Sequence, residues 1–469
     1  MLLTACDLQE EPYGFYSDDN FYKSETDAES GLLYAYNALT FLEYSRGIFY
    51  IGDIPTETMS PKSDEAGDVY QLENWIANRE TEQLQYYFKY CYIAINRANT
   101  VIDHIQNSSV LSETARRRIL GEAYFLRAWN YFNLVRTFGI VPVQTKMVAE
   151  LSQTTPPMAT GLDQLYDLIL GDLTRADNLL EVNKVFGRAD KVAAQSLMAK
   201  AYLTIASSKE HNVHRYTEMR REPRIMYDSA AYWAGKVVRD YKNVYDFDTN
   251  LRDIYDVDKP TGPEHIFIMP IDRSGTQEGN YSKLPLLFLP SNNSVPFYIR
   301  YGNGDLQRAN GNGWGVFLCN DEFVETQFST TDKRRTELIH RDIYDASGNP
   351  IVPNQVKGYF SSKYVDPDFI GERTSARPYL IRFSDIALVY AEAAGPEAGL
   401  AYVNRIRERA GVTPLPSGMT TDKFREAVIK ERALELAFEG NRLYDLRRTA
   451  SVTATVPEAT KLSEEQAAF

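Results

Sequence analysis

The chain has 469 residues and a formal net charge of −13 at neutral pH. Nucleic acid and anionic lipid surfaces would be repelled by so acidic a protein, so neither is expected as a ligand. No stretch reaches the roughly 18 apolar residues that a membrane-spanning helix needs, so any membrane attachment is expected to use a lipid.

The first segment, residues 1–6, ends in Leu3, Thr4, Ala5 and Cys6. This tetrad resembles a lipobox, the site at which a bacterial signal peptide is cut and a cysteine receives lipid. Small residues fit the narrow cleft of the peptidase, and a thiol supplies the nucleophile for a thioether. A complete signal also needs a basic start and an apolar stretch of about 7 to 15 residues. We interpret residues 1–6 as the remnant of a lipoprotein signal; the alternative is a cysteine without that role at the start of a trimmed sequence.

Apolar residues then recur every three or four positions, which is typical of amphipathic helices. The pattern predicts a helix over 84–105 and another over 120–138, with a cap at Ser112 and a stop at Gly139. A short polar turn joins these two helices, so they are expected to pack antiparallel. Further helices are predicted over 165–180, 193–205, 227–241, 383–394, 400–410 and 424–446. The predicted fold is mainly α, a tetratricopeptide-like superhelix of helix pairs whose frame covers about 25–245 and 376–450.

Helical periodicity is lost between about residues 245 and 375, where Gly, Asn, Pro and Asp separate short runs such as "EHIFIMPI". This pattern predicts a large irregular excursion that carries short β-strands. Loops held on a rigid frame often supply binding residues, so the excursion is the expected ligand-binding region.

The stretch "ERALELAFEGNRLYDLRR" places Glu431, Glu435 and Glu439 on one face of a predicted helix. Unpaired, these carboxylates would repel one another. Four arginines are expected to neutralise them in a cross-helix ion network: Arg405, Arg407, Arg409 and Arg442. The alternative, an acid and a base of a hydrolase, needs two carboxyl groups across a cleft and is less favoured.

No catalytic, metal or cofactor motif is found, and the chain is predicted to be no enzyme. The run "HNVH" at His211 and His214 is interpreted as a solvated loop. "DVDKPTG" lacks a ligand and a glycine that a calcium loop needs. Cys91 lies on an apolar helical face and Cys319 stands alone, so no disulfide framework is predicted.

Several segments in order along the chain resemble the SusD/RagB-like outer-membrane nutrient-binding lipoproteins. The resemblance rests on "LTAC", "YCYIAINRANTVIDHI", "GEAYFLRAWNYFNLVRTFGIVPV", "SLMAKAYLTIA", "GWGVFLCNDEFVETQF", "RFSDIALVYAEA", "NRIRERAG" and the stretch from Glu431 to Arg448. It implies a single domain over 7–469, lipid-anchored at the outer face of the outer membrane, which captures glycan and hands it to a SusC-like TonB-dependent transporter. Compared with the family, the turn "AAGPEAG" is short and the end "EQAAF" suggests truncation.

With 32 Tyr, 22 Phe and 4 Trp, the aromatic content exceeds what a core of this size requires, so some rings are expected at the surface. Sugar rings stack on flat aromatic faces while their hydroxyl groups need polar partners. The resemblance places a glycan site in the loop layer without fixing its residues. The candidate site residues are Trp75, Asn292, Tyr298, Arg300, Tyr301, Asn303 and Trp314. Each ring has loop packing as its alternative role. A peptide- or protein-binding scaffold is the alternative function, and it predicts an apolar groove.

Overall fold

The computed structural model describes residues 21–62, 67–273, 282–351 and 358–469. The lipobox-like tetrad with Cys6 lies outside these residues. Within them, the N-terminal part of the frame consists of eight helices: α1 (Glu25–Thr40), α2 (Leu42–Gly52), α3 (Asp68–Glu73), α4 (Glu82–Ile105), α5 (Glu113–Phe138), α6 (Leu162–Leu179), α7 (Lys191–Glu210) and α8 (Pro223–Asp240).

Successive helices of the frame pack on one another. Each helix from α4 to α7 contacts the next along the chain, and α1 packs on α4 and α5. Such stacking buries the apolar face of each helix on its neighbour. The predicted mainly α, tetratricopeptide-like architecture is therefore confirmed.

Helix α5 shows how the local sequence sets the ends of a helix. The Ser112 side chain accepts a hydrogen bond from the Ala115 amide at 3.3 Å, which satisfies a free N–H of the first turn. The helix ends at Gly139, whose φ of +71° favours glycine. The predicted cap and stop are both confirmed.

The excursion contains helices α9 (Leu284–Phe288), α10 (Asp321–Gln327) and α11 (Lys333–Leu338). The strands of the described chain are β1 (Met59–Pro61), β2 (His265–Ile268), β3 (Phe297–Arg300), β4 (Leu306–Ala309), β5 (Phe317–Cys319), β6 (Ile339–His340), β7 (Ile343–Tyr344), β8 (Pro350–Ile351), β9 (Phe360–Ser361) and β10 (Tyr379–Arg382). One antiparallel sheet has the order β4-β3-β7-β8, and the other strands form the antiparallel pairs β1–β5, β2–β10 and β6–β9.

Aromatic residues fix the excursion on the frame. Phe49 of α2 contacts Phe288 and Tyr364, with ring centroids 5.3 Å and 5.2 Å away. Phe317 of β5 joins the same core. Much of the aromatic content is thus buried, and the exposed large rings of the described chain are Tyr34, Tyr70, Tyr232 and Trp314.

The C-terminal part of the frame contains α12 (Phe383–Ala394), α13 (Pro396–Arg409), α14 (Thr421–Glu435), α15 (Arg442–Arg448), α16 (Val452–Thr455) and α17 (Glu464–Ala468). Helix α12 is almost entirely buried because it packs on α7, α8, α13 and α14. It joins the two parts of the frame.

The prediction of a single helix over 424–446 is wrong, because the chain leaves the helical conformation after Glu435. Phe438 and Gly440 have φ values of +65° and +75°. A Cβ at Gly440 would lie 2.4 Å from Ile48. The Gly440 amide donates to Asp53 Oδ2 at 2.7 Å. Contacts with the distant α2 region therefore override local helical periodicity.

Candidate functional site

The candidate residues of the 292–314 stretch lie around the hairpin of β3 and β4. Tyr298 of β3 lies opposite Arg308 of β4. Asn303 is exposed in the connecting turn, where its amide donates to Asp305 Oδ2 at 2.6 Å. The turn is therefore held by its own side chains and presents a polar tip to solvent.

Side chains along β3 alternate between the interior and the surface. Phe297 and Ile299 are buried, and Tyr301, just beyond the strand, is only 6% exposed. Tyr298 is half-buried and Arg300 is exposed. Successive side chains of a strand point to opposite faces, which explains this order. The same alternation, read from the sequence, could have predicted which of these side chains are buried. Tyr301 is therefore a buried ring, and its role as a binding residue stays a prediction.

Tyr301 is held by neighbours within the protein. Its hydroxyl donates to Gln307, and the Arg252 guanidinium lies 4.5 Å from its ring centroid. Burial raises the pKa of Tyr301 to about 12, although Arg252 opposes that shift. A ring fixed in this way forms part of a wall and offers no free face for stacking.

Two of the predicted polar partners are also engaged internally. The Arg300 guanidinium lies 4.2 Å from the Tyr344 ring centroid and donates to the Gly348 carbonyl oxygen. Asn292 is 9% exposed, and its amide donates to the Val295 carbonyl oxygen at 2.9 Å. These two side chains support loop geometry.

A cleft of about 600 Å³ lies beside the hairpin. Its wall carries charges of both signs, from Arg252, Arg308, Asp256 and Asp258, and Tyr255 also lines it. Walls of this kind offer hydrogen bonds to a hydroxyl-rich ligand. An apolar peptide would offer these charged groups no hydrogen bonds in place of those they make with water.

Trp314 is the candidate ring that the structure leaves accessible, with 44% of its surface exposed. Its backbone amide donates to the Leu286 carbonyl oxygen at 2.6 Å. A Cβ at Gly313 would lie 2.0 Å from the Leu289 carbonyl oxygen, so the close approach of this segment to the end of α9 requires glycine. The run "GNGWGVF" thus clamps the backbone on α9 while the indole remains accessible.

A pair of charged side chains lies beside the indole. The Lys283 ammonium lies 5.6 Å from the Trp314 ring centroid and pairs with Glu372 at 2.8 Å. Arg308 donates to the Pro367 carbonyl oxygen at 3.0 Å, which ties the loop carrying Glu372 to β4. We call the Trp314 surface Trp314 with Lys283 and Glu372, together with the residues of β4 and of the loop that carries Glu372, which are Arg308, Asp368 and Ile370. A flat ring with hydrogen-bonding groups nearby is the arrangement expected of a sugar subsite.

Trp75 lies elsewhere. Its indole N–H donates to the Pro55 carbonyl oxygen at 3.0 Å, and its φ is +53°. The ring lines a cavity of about 280 Å³ together with Phe138, Leu443 and Phe469. These contacts favour the loop-packing role for Trp75.

The carboxylates of the 431–439 stretch belong to a buried ion network centred on Arg382, which is 1% exposed. Arg382 donates to Glu264 at 2.8 Å, to Glu435 at 2.9 Å and to Glu439 at 2.8 Å. Lys363 donates to Glu439 at 2.6 Å. The sequence pattern does not indicate Arg382, Glu264 or Lys363 as members, because they come from a strand and loops far away in the chain.

Only two of the four predicted arginine partners belong to this network. Arg407 pairs with Glu431, and Arg409 with Glu435, at 2.5 Å and 2.7 Å. Arg405 instead pairs with Asp246 at 3.1 Å near the surface. Arg442 pairs with Glu57, because the break after Glu435 turns it away from Glu439. The expected roles of Arg405 and Arg442 are wrong.

Asp53 adds a buried carboxyl group at this break. Burial raises its pKa to about 7, while the Gly440 amide opposes the shift and the nearby Glu439 charge adds to it. Its Oδ1 atom has no hydrogen-bond partner in the described part of the chain. Asp53 therefore titrates near neutral pH.

We expect Asp53→Asn to remove a pH-dependent part of the free energy of unfolding. Because the folded-state pKa is raised, the contribution of Asp53 is complete below about pH 3.8 and is lost as pH rises through about 7. Asparagine keeps an oxygen for the Gly440 amide and carries no charge. The variant should gain about 2 to 3 kcal/mol relative to wild type between about pH 5 and pH 8.5.

Urea unfolding of both proteins at the two pH values measures this difference. His265 and His340, whose pKa values burial lowers, titrate in both proteins and cancel in the comparison. An equal difference between wild type and variant at the two pH values would contradict the assignment.

The described residues hold no cluster typical of a metal site and no disulfide bond. They contain no group of three or more His, Cys, Asp or Glu side chains placed to hold a metal ion. Cys91 and Cys319 are buried free thiols. No helix within residues 21–62, 67–273, 282–351 and 358–469 is long and apolar enough to cross a membrane.

Comparisons with known proteins give a consistent result. The family model "SusD family" matches residues 343–466, and the model "Starch-binding associating with outer membrane" matches residues 22–203. SusD-like protein P2 of Formosa agariphila is 24% identical over 96% of this chain and 88% of its own. The structure of a SusD homologue from Bacteroides thetaiotaomicron has a TM-score of 0.78 and 20% identity over 97% of this chain and 94% of its own. A laminarin-binding SusD-like protein has a TM-score of 0.74 and 23% identity over 95% and 96% of the two chains.

Proposed function

Because the chain belongs to the SusD/RagB-like family, we propose that it is a cell-surface glycan-binding lipoprotein. It captures oligo- or polysaccharide and delivers it to a SusC-like TonB-dependent transporter of the outer membrane. It binds and does not catalyse. Residues 7–469 act as one domain, in which the helical frame carries the ligand-binding excursion.

The Trp314 surface carries this proposal. The indole provides an accessible flat face, and Lys283 and Glu372 lie beside it to exchange hydrogen bonds with sugar hydroxyl groups. Arg308 holds the loop that carries Glu372 and offers a further donor. The neighbouring cleft, which Arg308 also lines, continues the binding surface along the chain of a glycan. Tyr298 and Asn303 are proposed as outer contacts on the hairpin. A related protein described as laminarin-binding supports the same ligand class.

Calorimetric titration against a panel of soluble polysaccharides tests this function. The panel includes laminarin, starch, xyloglucan and several others, together with a set of unstructured peptides. Saturable binding of at least one glycan is the expected result. Binding of peptides and of no glycan would favour the scaffold function instead.

We further propose that Cys6 carries the lipid that anchors the mature protein to the outer membrane. The motivating observation is the lipobox-like tetrad Leu3 to Cys6. Several acyl chains anchor stably where one does so only marginally, so the full-length precursor should yield a protein that stays with membranes in high salt.

Labelled fatty acid should appear on wild type and be absent from Cys6→Ala when both are expressed from the complete gene. Equal labelling of the two, or none on wild type, would exclude this anchor.

A further inference from the structure

A small cavity of about 40 Å³ lies where α5, α7 and α15 meet, apart from the Trp314 surface. Most of its lining side chains are buried. Its wall is unusually basic: the cations are Arg136, Lys200, Arg432, Arg447 and Arg448, and the single carboxylate is Asp445.

Carboxylates around the cavity form ion pairs with only some of these cations. Arg432 and Arg448 share Asp445, each at 2.9 Å. Arg432 also reaches Asp385 at 2.8 Å, and Lys200 pairs with that same carboxylate. Arg448 additionally pairs with Glu392. Three carboxylates therefore already have cationic partners.

Arg136 and Arg447 have no carboxylate within 4 Å among the residues that the structure describes. Arg447 donates to the carbonyl oxygens of Arg136 and Thr137, at 3.2 Å and 3.1 Å. Arg136 donates to Asn133 at 2.7 Å, and its guanidinium lies 3.7 Å from the Tyr444 ring centroid. The Nε atoms of both arginines are buried without a hydrogen-bond partner.

Such an arrangement leaves positive charge uncompensated in a poorly solvated place, which is strongly unfavourable. Burial lowers the pKa of Arg447 to about 10, because desolvation disfavours the charged guanidinium. A bound anion would neutralise it and accept hydrogen bonds from guanidinium groups.

We propose that this cavity binds one small monovalent anion of halide size, held between Arg136 and Arg447. A water molecule needs roughly 10–15 Å³ of such volume, so the cavity has room for a halide and far too little for a sugar. The anion then links α15 to α5, and so contributes to the stability of the C-terminal part of the frame.

Diffraction from wild-type crystals grown with bromide in place of chloride tests the site directly. We expect an anomalous peak at the bromine absorption edge in the cavity, within hydrogen-bond distance of Arg136 and Arg447 nitrogen atoms. A cavity that is dry or holds only water under those conditions would overturn the proposal.

Thermal unfolding provides an independent readout. At constant ionic strength, replacing sodium gluconate by sodium bromide should raise the melting temperature in proportion to the logarithm of the bromide concentration, because only the folded state has the site. Arg447→Gln should abolish this dependence. The control Arg405→Gln, at the exposed Asp246 pair, should retain it. A bromide effect equal in both variants would contradict the site; if Arg447→Gln does not fold, the diffraction experiment decides.

Discussion

Replacing Glu435 with alanine is expected to lower the free energy of unfolding by about 3 to 5 kcal/mol, because removal of one member of a buried ion network leaves its partners unpaired. Glu435 accepts hydrogen bonds from Arg382, Arg409 and Arg334, at 2.9 Å, 2.7 Å and 3.5 Å. Burial alone would raise the pKa of Glu435, but these arginines lower it to about 2. Its contribution is thus present above about pH 4.5 and is lost as pH falls toward 2.

Two arginines on α13 provide matched controls for this prediction. Arg409→Ala removes a buried partner of Glu435 and should cost as much as Glu435→Ala. Arg405→Ala removes a pair whose side chains are 44% and 34% exposed, and should cost less than about 1 kcal/mol.

Urea unfolding of the three variants, followed by titration with a bound glycan, separates stability from binding. Folded Glu435→Ala should bind as wild type does. A variant with unchanged stability and lost binding would move Glu435 from the structural network into the ligand site.

Trp314→Ala is expected to weaken glycan binding by about 2 kcal/mol or more, which is roughly thirtyfold in affinity. The indole supplies the accessible flat face of the Trp314 surface, and alanine removes it without touching the backbone clamp on α9. The melting temperature should change little. Trp314→Phe, which keeps a smaller ring, should lie between wild type and Trp314→Ala.

Tyr232→Ala is the control, because Tyr232 is an exposed ring on α8, in the helical frame. It should leave the affinity unchanged. Calorimetry with the tightest-binding glycan of the panel measures the affinity of wild type and of the three variants. A Trp314→Ala protein that binds as tightly as wild type would remove this residue from the site.

The helical frame could be predicted because its signals are local. Periodicity over α4 to α8, the cap at Ser112 and the stop at Gly139 all depend on residues within a few turns of each other. The break after Glu435 could not be placed with the same tools. Its cause is the contact of Gly440 with Ile48 and Asp53, nearly four hundred residues away in sequence.

The same distinction holds for the ion network and the site. The carboxylates at four-residue spacing indicated an ion network, and two of its predicted partners, Arg407 and Arg409, are confirmed. Arg382 could not be predicted, because the sequence alone does not place its strand beside these carboxylates. For the site, the candidate rings came from stretches without helical periodicity, and the close backbone approach at Gly313 is known only from the structure. Tyr301 is buried because strand alternation continues beyond Arg300, and its role in the site stays a prediction.

A crystal structure of the wild-type protein with an oligosaccharide bound is the sharpest test of glycan stacking on Trp314. We expect a sugar ring in van der Waals contact with the Trp314 indole, with hydroxyl groups hydrogen-bonded to Lys283, Arg308 or Glu372. Sugar density elsewhere, for instance in the separate cleft of about 660 Å³ that Glu57 and Arg442 line, with the indole unoccupied, would contradict it.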